Sequence, residues 1–117
     1  CLPPEALTRL IEAAGGTPEG GILAMPVADT LKRGDGANRI AATVPRTALW
    51  QAQTPQLFQT ALLLRALCAA DSDGFTDEAS AVEALGIRPQ LVEGDARNLK
   101  LTLPQDETLV RLLLAAV

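Results

Sequence analysis

The 117-residue chain contains no histidine and no tyrosine, and only two cysteines, one tryptophan and two phenylalanines. Each shortage closes off a class of function. Without imidazole there is no histidine general base, no Ser-His-Asp triad and no histidine-ligated metal within the chain. Cys1 and Cys68 are too few for a zinc cluster by themselves. A disulfide between them is conceivable, but reduced thiols in a cytoplasmic protein are expected. Aromatic residues amount to 3%, which argues against platforms that stack nucleic-acid bases. A net charge of -4 argues against a general binder of nucleic acid or of membrane surfaces, though not against a local cationic pocket. No apolar run approaches the roughly 18 residues that a membrane span requires, and Arg65 interrupts the longest candidate, residues 61–70. Neither a membrane nor a nucleic-acid partner is therefore expected, and no signal-peptide pattern is visible.

What is present suits a folded domain: 48% of residues are apolar and 21% charged. The chain opens at Cys1-Leu2-Pro3-Pro4 and its sole methionine is Met25, so it is expected to be a piece of something longer.

Periodicity supplies the elements. Pro3 and Pro4 suit a first helical turn, and Leu7, Leu10, Ile11 and Ala14 follow at helical spacing until Gly15-Gly16. Residues 21–27 form a short, nearly continuous apolar run, the pattern of a strand covered on both faces. Residues 30–33 and 39–44 flank the turn formers Gly34-Asp35-Gly36-Ala37-Asn38, which predicts a β-hairpin, more polar than the preceding strand and projecting from the body. Trp50–Gln53 reads as a short strand. Thr54-Pro55 then reads as the start of a helix reaching Ala70, with Phe58, Leu62, Leu63 and Leu67 as core positions. A loop at Asp71–Gly74 follows, then a helix over 77–85 capped by Thr76 and ended by Gly86. Residues 87–92 and 98–101 read as strands, and Thr102-Leu103-Pro104-Gln105 has the spacing of a capping box before a last helix. Helices alternating with buried strands define an α/β layered fold, without a phosphate-binding glycine loop of either common type.

Few polar residues have chemical promise. Lys100, between Leu99 and Leu101, points away from the face that they bury. The ordinary reading is a solvated strand lysine. The functional one is a cation at a strand end beside the start of the last helix, a place that suits a phosphate. Thr54 and Thr76 each precede an expected helix, and a capping hydroxyl can also meet a ligand. Asp77-Glu78 most simply favour a helix N-terminus, with a metal or a polyol as the other reading. Lys32, Arg33, Arg39 and Arg46 lie in and after the hairpin, either as an ordinary charged edge or as a cationic arm offered to a phosphate. Trp50 reads as a packing residue and Cys68 as a small buried hydrophobe. Spacing and composition alone do not define a reaction.

Several strings, taken in order, are more specific. Gly21-Ile22-Leu23-Ala24 with residues 26–33, Thr43-Val44-Pro45-Arg46 running to Leu49-Trp50, Thr54-Pro55-Gln56-Leu57-Phe58, Thr76-Asp77-Glu78-Ala79-Ser80, and Leu91-Val92-Glu93-Gly94 with Asn98-Leu99-Lys100-Leu101-Thr102 resemble the carboxy-terminal portion of the 2-C-methyl-D-erythritol 4-phosphate cytidylyltransferases. The resemblance implies part of a Rossmann-like nucleotidyltransferase fold, in which residues 1–117 are the carboxy-terminal portion of one domain and residues 28–48 a projecting dimerisation arm. It also implies transfer of a cytidylyl group from CTP to methylerythritol phosphate in isoprenoid biosynthesis, with release of pyrophosphate and with Mg²⁺.

In that reading Lys100 stabilises charge at the reacting phosphates. Arg46 reaches the acceptor phosphate of the neighbouring subunit of a homodimer, with Thr30 beside the same substrate, and Thr54 and Thr76 line the acceptor pocket. Pro45 departs from the polar residue or aspartate that usually precedes this arginine. The family's glycine-rich CTP loop, its cytosine-recognition segments and its metal-holding aspartate have no counterpart in this sequence. The piece alone is therefore expected to be inactive, with nucleotide and metal ligands lying elsewhere. A cytidylyltransferase for another polyol phosphate, such as ribitol 5-phosphate, and a non-catalytic dimerisation module are the alternatives.

Overall fold

The computed structural model describes residues 1–69 and 75–116. The expected loop at Asp71–Gly74, the helix end at Ala70 and the terminal Val117 lie outside them. The elements are α1 (Pro4–Ala14), β1 (Gly21–Pro26), β2 (Leu31–Gly34), β3 (Ile40–Val44), β4 (Trp50–Leu57), α2 (Thr60–Ala69), α3 (Glu78–Glu83), β5 (Gln90–Glu93) and α4 (Asp106–Ala115). They make the expected α/β fold around a mixed sheet of order β4-β1-β5, with β4 antiparallel and β5 parallel to β1.

β1 is central, and both its faces are covered. Leu23 points toward α1 and is buried with Ala6, Leu10 and Ala14, while Ile22 and Ala24 pack on the other side with Ala79 and the partly buried Phe58. Phe58 also joins the seam between α2 and α3, where Ala66, Ala81 and Val82 are buried. Complete burial of side chains such as Leu10, Leu23 and Val82 contributes roughly 1.5–3 kcal/mol each to holding the layers together. Gly20 makes the entry into β1 possible. Its φ is +72°, and a Cβ there would collide with the Leu57 carbonyl and the Phe58 ring.

Several expectations are corrected. Thr54-Pro55 does not open a helix: β4 continues through both residues to Leu57, and α2 begins at Thr60. Pairing of Gly21 with Leu57 and of Ile22 with Gln56 extends the strand, so the sheet overrides a local Thr-Pro signal that reads equally well as a helix start. Residues 98–101 form no strand. β5 ends at Glu93, and the chain turns at Asp95, whose carboxylate accepts from the Arg97 amide at 2.8 Å. The last helix has Gln105 as its N-cap with no side-chain bond, and it is Asp106 that accepts from the amides of Thr102 and Leu103, at 3.1 and 2.8 Å. Cys68 is exposed, because the face of α2 turned to α3 is made by Leu62, Leu63 and Ala66; Leu67 is likewise 51% exposed.

The hairpin is a separate two-stranded sheet, β2 against β3. Asp35 closes its tip by accepting from the amides of Ala37 and Arg39 at 2.8 and 3.0 Å, and Asn38 takes the left-handed conformation at φ 60°. No residue from 28 to 50 is buried.

Candidate functional site

β4 is the element around which three of the five expected site residues are organised. Thr54 lies within it, flanked by Gln53 and Gln56, whose side chains bond to two different segments of the chain. On one side, the Gln56 amide donates to Asp77 Oδ2 at 2.9 Å, while its carbonyl oxygen accepts from the Ala79 amide at 3.0 Å. This carboxamide fastens the N-terminus of α3 to the strand. Thr76 stands at that N-terminus but does not cap it. Asp77 does, accepting from the Ser80 amide at 2.8 Å and from the Ser80 hydroxyl at 2.6 Å. The Thr76 hydroxyl lies 3.4 Å from that of Ser80. Partial burial pushes the Asp77 carboxyl up, but the hydrogen bonds from Gln56 and Ser80 outweigh it, and the group titrates below its ordinary value.

On the other side, the Gln53 amide donates to the Asp95 carbonyl at 3.1 Å, and the Asn98 amide donates to the Thr54 carbonyl at 2.6 Å. These bonds hold the segment between β5 and α4, which carries Lys100, against the strand. Arg97 donates through Nε and Nη2 to the two oxygens of Asp95, at 2.9 and 2.8 Å, and these bonds hold the Asp95 carboxyl well below the usual carboxylate range. Lys100 is exposed, and among the described residues no hydrogen bond or ion pair engages its ammonium group.

Thr30 and Arg46 form a second group at the root of the hairpin. Arg46 Nη1 donates to the Ala28 carbonyl, the Val27 amide donates to the Leu49 carbonyl at 3.0 Å, and Pro26 pairs with Trp50. Trp50 is 37% exposed, so it only partly fills the packing role expected of it. Lys32 donates to the Thr43 hydroxyl at 2.8 Å across the hairpin.

A cleft of about 310 Å³ opens beside α3, lined by Ile22, Ala52, Asp77, Ser80, Glu83 and Arg88 among others; none of the five expected site residues lines it. Among the described residues no three His, Cys, Asp or Glu side chains converge. Asp77 Oδ1 accepts twice from Ser80 and Oδ2 once from Gln56, so this carboxylate is already committed to capping α3 and fastening it to β4. Also among the described residues, no helix is long and apolar enough to cross a membrane.

Gln53, Gln56 and Asn98 were missed as organising residues. Gln56 and Asn98 lie inside recognisable strings, but nothing in their spacing reveals that their amides meet β4 and α3.

Comparison with known proteins gives the geometry a context. The profile described as 2-C-methyl-D-erythritol 4-phosphate cytidylyltransferase matches residues 1–116. A protein of that name from Neisseria meningitidis serogroup C / serotype 2a (strain FAM18) is 74% identical over 117 residues, covering 100% of this chain and 51% of its own length. Another from Chromobacterium violaceum is 57% identical over 116 residues, covering 99% of this chain and 52% of its own. Among solved structures, a 4-diphosphocytidyl-2C-methyl-D-erythritol synthase superposes with a TM-score of 0.90 at 68% identity, over 97% of this chain and 51% of its own. The Thermus thermophilus cytidylyltransferase does so with 0.86 at 39% identity, over 99% and 57%. The chain thus spans about half the length of the curated relatives it matches, and the expected assignment to their carboxy-terminal end is not carried by that correspondence. A profile match over residues 1–116, high identity and a shared fold establish that this chain belongs to the 2-C-methyl-D-erythritol 4-phosphate cytidylyltransferase family.

Proposed function

We propose that this chain supplies the acceptor side of a cytidylyl-transfer site. A phosphate oxygen of 2-C-methyl-D-erythritol 4-phosphate attacks the α-phosphorus of CTP, the α–β phosphoanhydride bond breaks, and pyrophosphate leaves. Such a reaction needs alignment of two polyanions and stabilisation of charge on the phosphoryl oxygens, and no proton relay through imidazole. The observation that carries the reading is the β4 junction. It gathers the backbone bearing Thr54, Thr76 and Lys100 through Gln56 and Asn98, and Lys100 keeps an exposed ammonium group that no described residue engages. In this reading Lys100 stabilises the charge that develops at the α-phosphate, and Thr54 and Thr76 donate hydroxyl hydrogen bonds to the acceptor.

Thr30 and Arg46 belong to the same reaction from another chain. The hairpin buries no residue, and Ile40 is 67% exposed. An isolated two-stranded hairpin is marginally stable in water, so a second subunit is its natural support. The whole enzyme is accordingly read as a cytoplasmic homodimer joined through residues 28–48, with free thiols at Cys1 and Cys68 and with Mg²⁺ held by residues outside this chain.

The test is pyrophosphate release by the full-length enzyme with CTP and either methylerythritol phosphate or ribitol 5-phosphate. The expected result is a preference of at least about tenfold in kcat/KM for methylerythritol phosphate, as a site built around specific hydroxyl contacts gives. Preference for ribitol phosphate would assign the same chemistry to another acceptor. No turnover with either would leave a dimerisation module.

A further inference from the structure

We propose that Asn98 is the positioning residue for Lys100, acting by fixing the backbone of the lysine-bearing segment to β4 at the Thr54 carbonyl. The inference rests on the reading of Lys100 given above and deepens it. Between β5 and α4 the chain runs through residues 94–105 without a helix or strand, so ordinary backbone pairing does not hold the lysine in place.

The tethers that do hold it are few and can be followed in order. The Gly94 amide donates to the Ala24 carbonyl at 2.9 Å, which prolongs the β1–β5 register by one bond. Arg9 of α1 donates to the carbonyls of Glu93 and Gly94 at 3.1 and 3.0 Å, and Gln53 donates to the Asp95 carbonyl. The Asp95-Arg97 pair and the bond from the Asn98 backbone amide to the Asp95 carbonyl at 3.0 Å then fold the turn on itself.

Among the described residues, the Asn98 side chain makes the last tie of this segment to the sheet. It donates to the Thr54 carbonyl at 2.6 Å and more weakly to Gln53 Oε1 at 3.4 Å. Beyond it, the Leu99 amide donates locally to the Arg97 carbonyl at 2.9 Å, and Asp106 receives the amides of Thr102 and Leu103. Lys100 lies two residues after Asn98 and two before Thr102. Among the described residues its own carbonyl accepts only the local bond from the Thr102 hydroxyl, at 3.4 Å.

The geometry gives Asn98 a role that its partners do not share. Gln53 holds the start of the turn, at Asp95, whereas Asn98 is two residues from the lysine. The acceptor that it chooses is the backbone of Thr54, another expected site residue. That hydrogen bond ties the lysine-bearing segment to the strand that carries Thr54. Gly94 supports the same device. A Cβ at this position would displace the Gln53 carboxamide, which takes part on both sides of the turn.

The experiment is a double-mutant cycle in the full-length enzyme. Steady-state pyrophosphate release and thermal denaturation are measured for Lys100→Ala, Asn98→Ala, and the two together. Asn98→Asp, which keeps the size but loses the donor, is run as a second variant. Misplacing a catalytic group by about an ångström costs on the order of a hundredfold, so Asn98→Ala and Asn98→Asp are expected to lower kcat roughly ten- to a hundredfold. KM for the acceptor should change less than kcat. In the Lys100→Ala background, removing Asn98 should cause no further loss, because a positioning group has nothing left to position.

An equal loss in both backgrounds overturns the proposal, as do wild-type kcat for the Asn98 variants and failure of both variants to fold. Near-wild-type kinetics for Lys100→Ala itself would instead overturn the assignment of the lysine, and thus the functional reading, so the two failures are distinguishable.

Discussion

The hairpin and the β4 junction are adjacent along the chain but are held by opposite means. The hairpin is closed by its own backbone and by short side-chain bonds, such as Asp35 to the Ala37 and Arg39 amides, and it buries none of its residues. The β4 junction is held by bonds that span long stretches of sequence, from Gln56 to Asp77 and from Asn98 to Thr54. A region stabilised locally can fold and still need a partner to be useful. A region stabilised at long range carries its geometry within the subunit. Charged groups intended for another chain therefore belong on the former, and groups that must keep a fixed spacing belong on the latter.

The sharpest way to break this comparison is to ask in which subunit Arg46 works. Arg46→Ala in the full-length enzyme is expected to lower kcat/KM for the acceptor roughly ten- to a hundredfold, the scale of a lost hydrogen bond to a charged group. Mixing Arg46→Ala subunits with Lys100→Ala subunits decides the rest. If the arginine acts across the dimer, each mixed dimer contains one site with both residues intact, and activity returns on mixing. If no activity returns, the arm serves its own subunit and the contrast collapses.

The junction makes a smaller and purely structural prediction. Asp77→Ala removes the cap of α3 and the partner of Gln56, and is expected to cost about 1 kcal/mol. Asp77 also gives that stability a pH dependence of known sign. Its folded-state carboxyl titrates below the unfolded value of about 3.9. Its contribution is therefore complete above the unfolded pKa and is lost as pH falls through the lowered folded one. Asp77→Asn keeps a capping oxygen without a titrating group, so it should flatten the acid limb of the stability curve. Thermal denaturation of the two variants between pH 2 and pH 6 checks both statements.

The same contrast explains what could be read from the sequence. The hairpin was legible because everything that makes it is local: turn formers between two short runs, with Asp35 at the first turn position and Asn38 in the left-handed one. α1 and β1 were legible in part for a similar reason, since Leu10, Ala14 and the run from Ile22 to Ala24 carry their burial in their spacing. Leu7 and Ile11, expected on the same face of α1, are nevertheless 38% and 53% exposed, and Ala6 is buried there instead. β4 was not, because its second half is a strand only by virtue of pairing with Gly21 and Ile22. Thr76 and Asp77 are both good capping residues. The choice of Asp77 accompanies a bond from Gln56, 21 positions away. Residues 98–101 alternate as a strand would, but Asp95 and Asn98 turn the segment across β4 instead of along a neighbour. The candidate site residues were nameable through family resemblance, whereas the carboxamides that gather them are visible only in three dimensions.

The smallest expected effect tests the claim that the hairpin root is set by local conformation. Arg46 to Leu49 form a turn closed by the Leu49 amide on the Arg46 carbonyl at 3.1 Å, and within it Ala48 has φ 59°. The left-handed conformation costs an L-residue other than glycine roughly 1–2 kcal/mol, because Cβ crowds the backbone. Glycine relieves that crowding but gives the unfolded chain more freedom, which offsets roughly 0.4–1 kcal/mol. Ala48→Gly is therefore expected to raise stability by a fraction of a kcal/mol to about 1 kcal/mol, read as a small upward shift of Tm in the full-length protein. Since Ala48 lies two residues from Arg46, a stabilised turn with unchanged kcat/KM would show that the arginine's reach is already fixed by its bond to Ala28. A fall in kcat/KM at higher Tm would mean that the alanine holds the turn in a shape that glycine lets go.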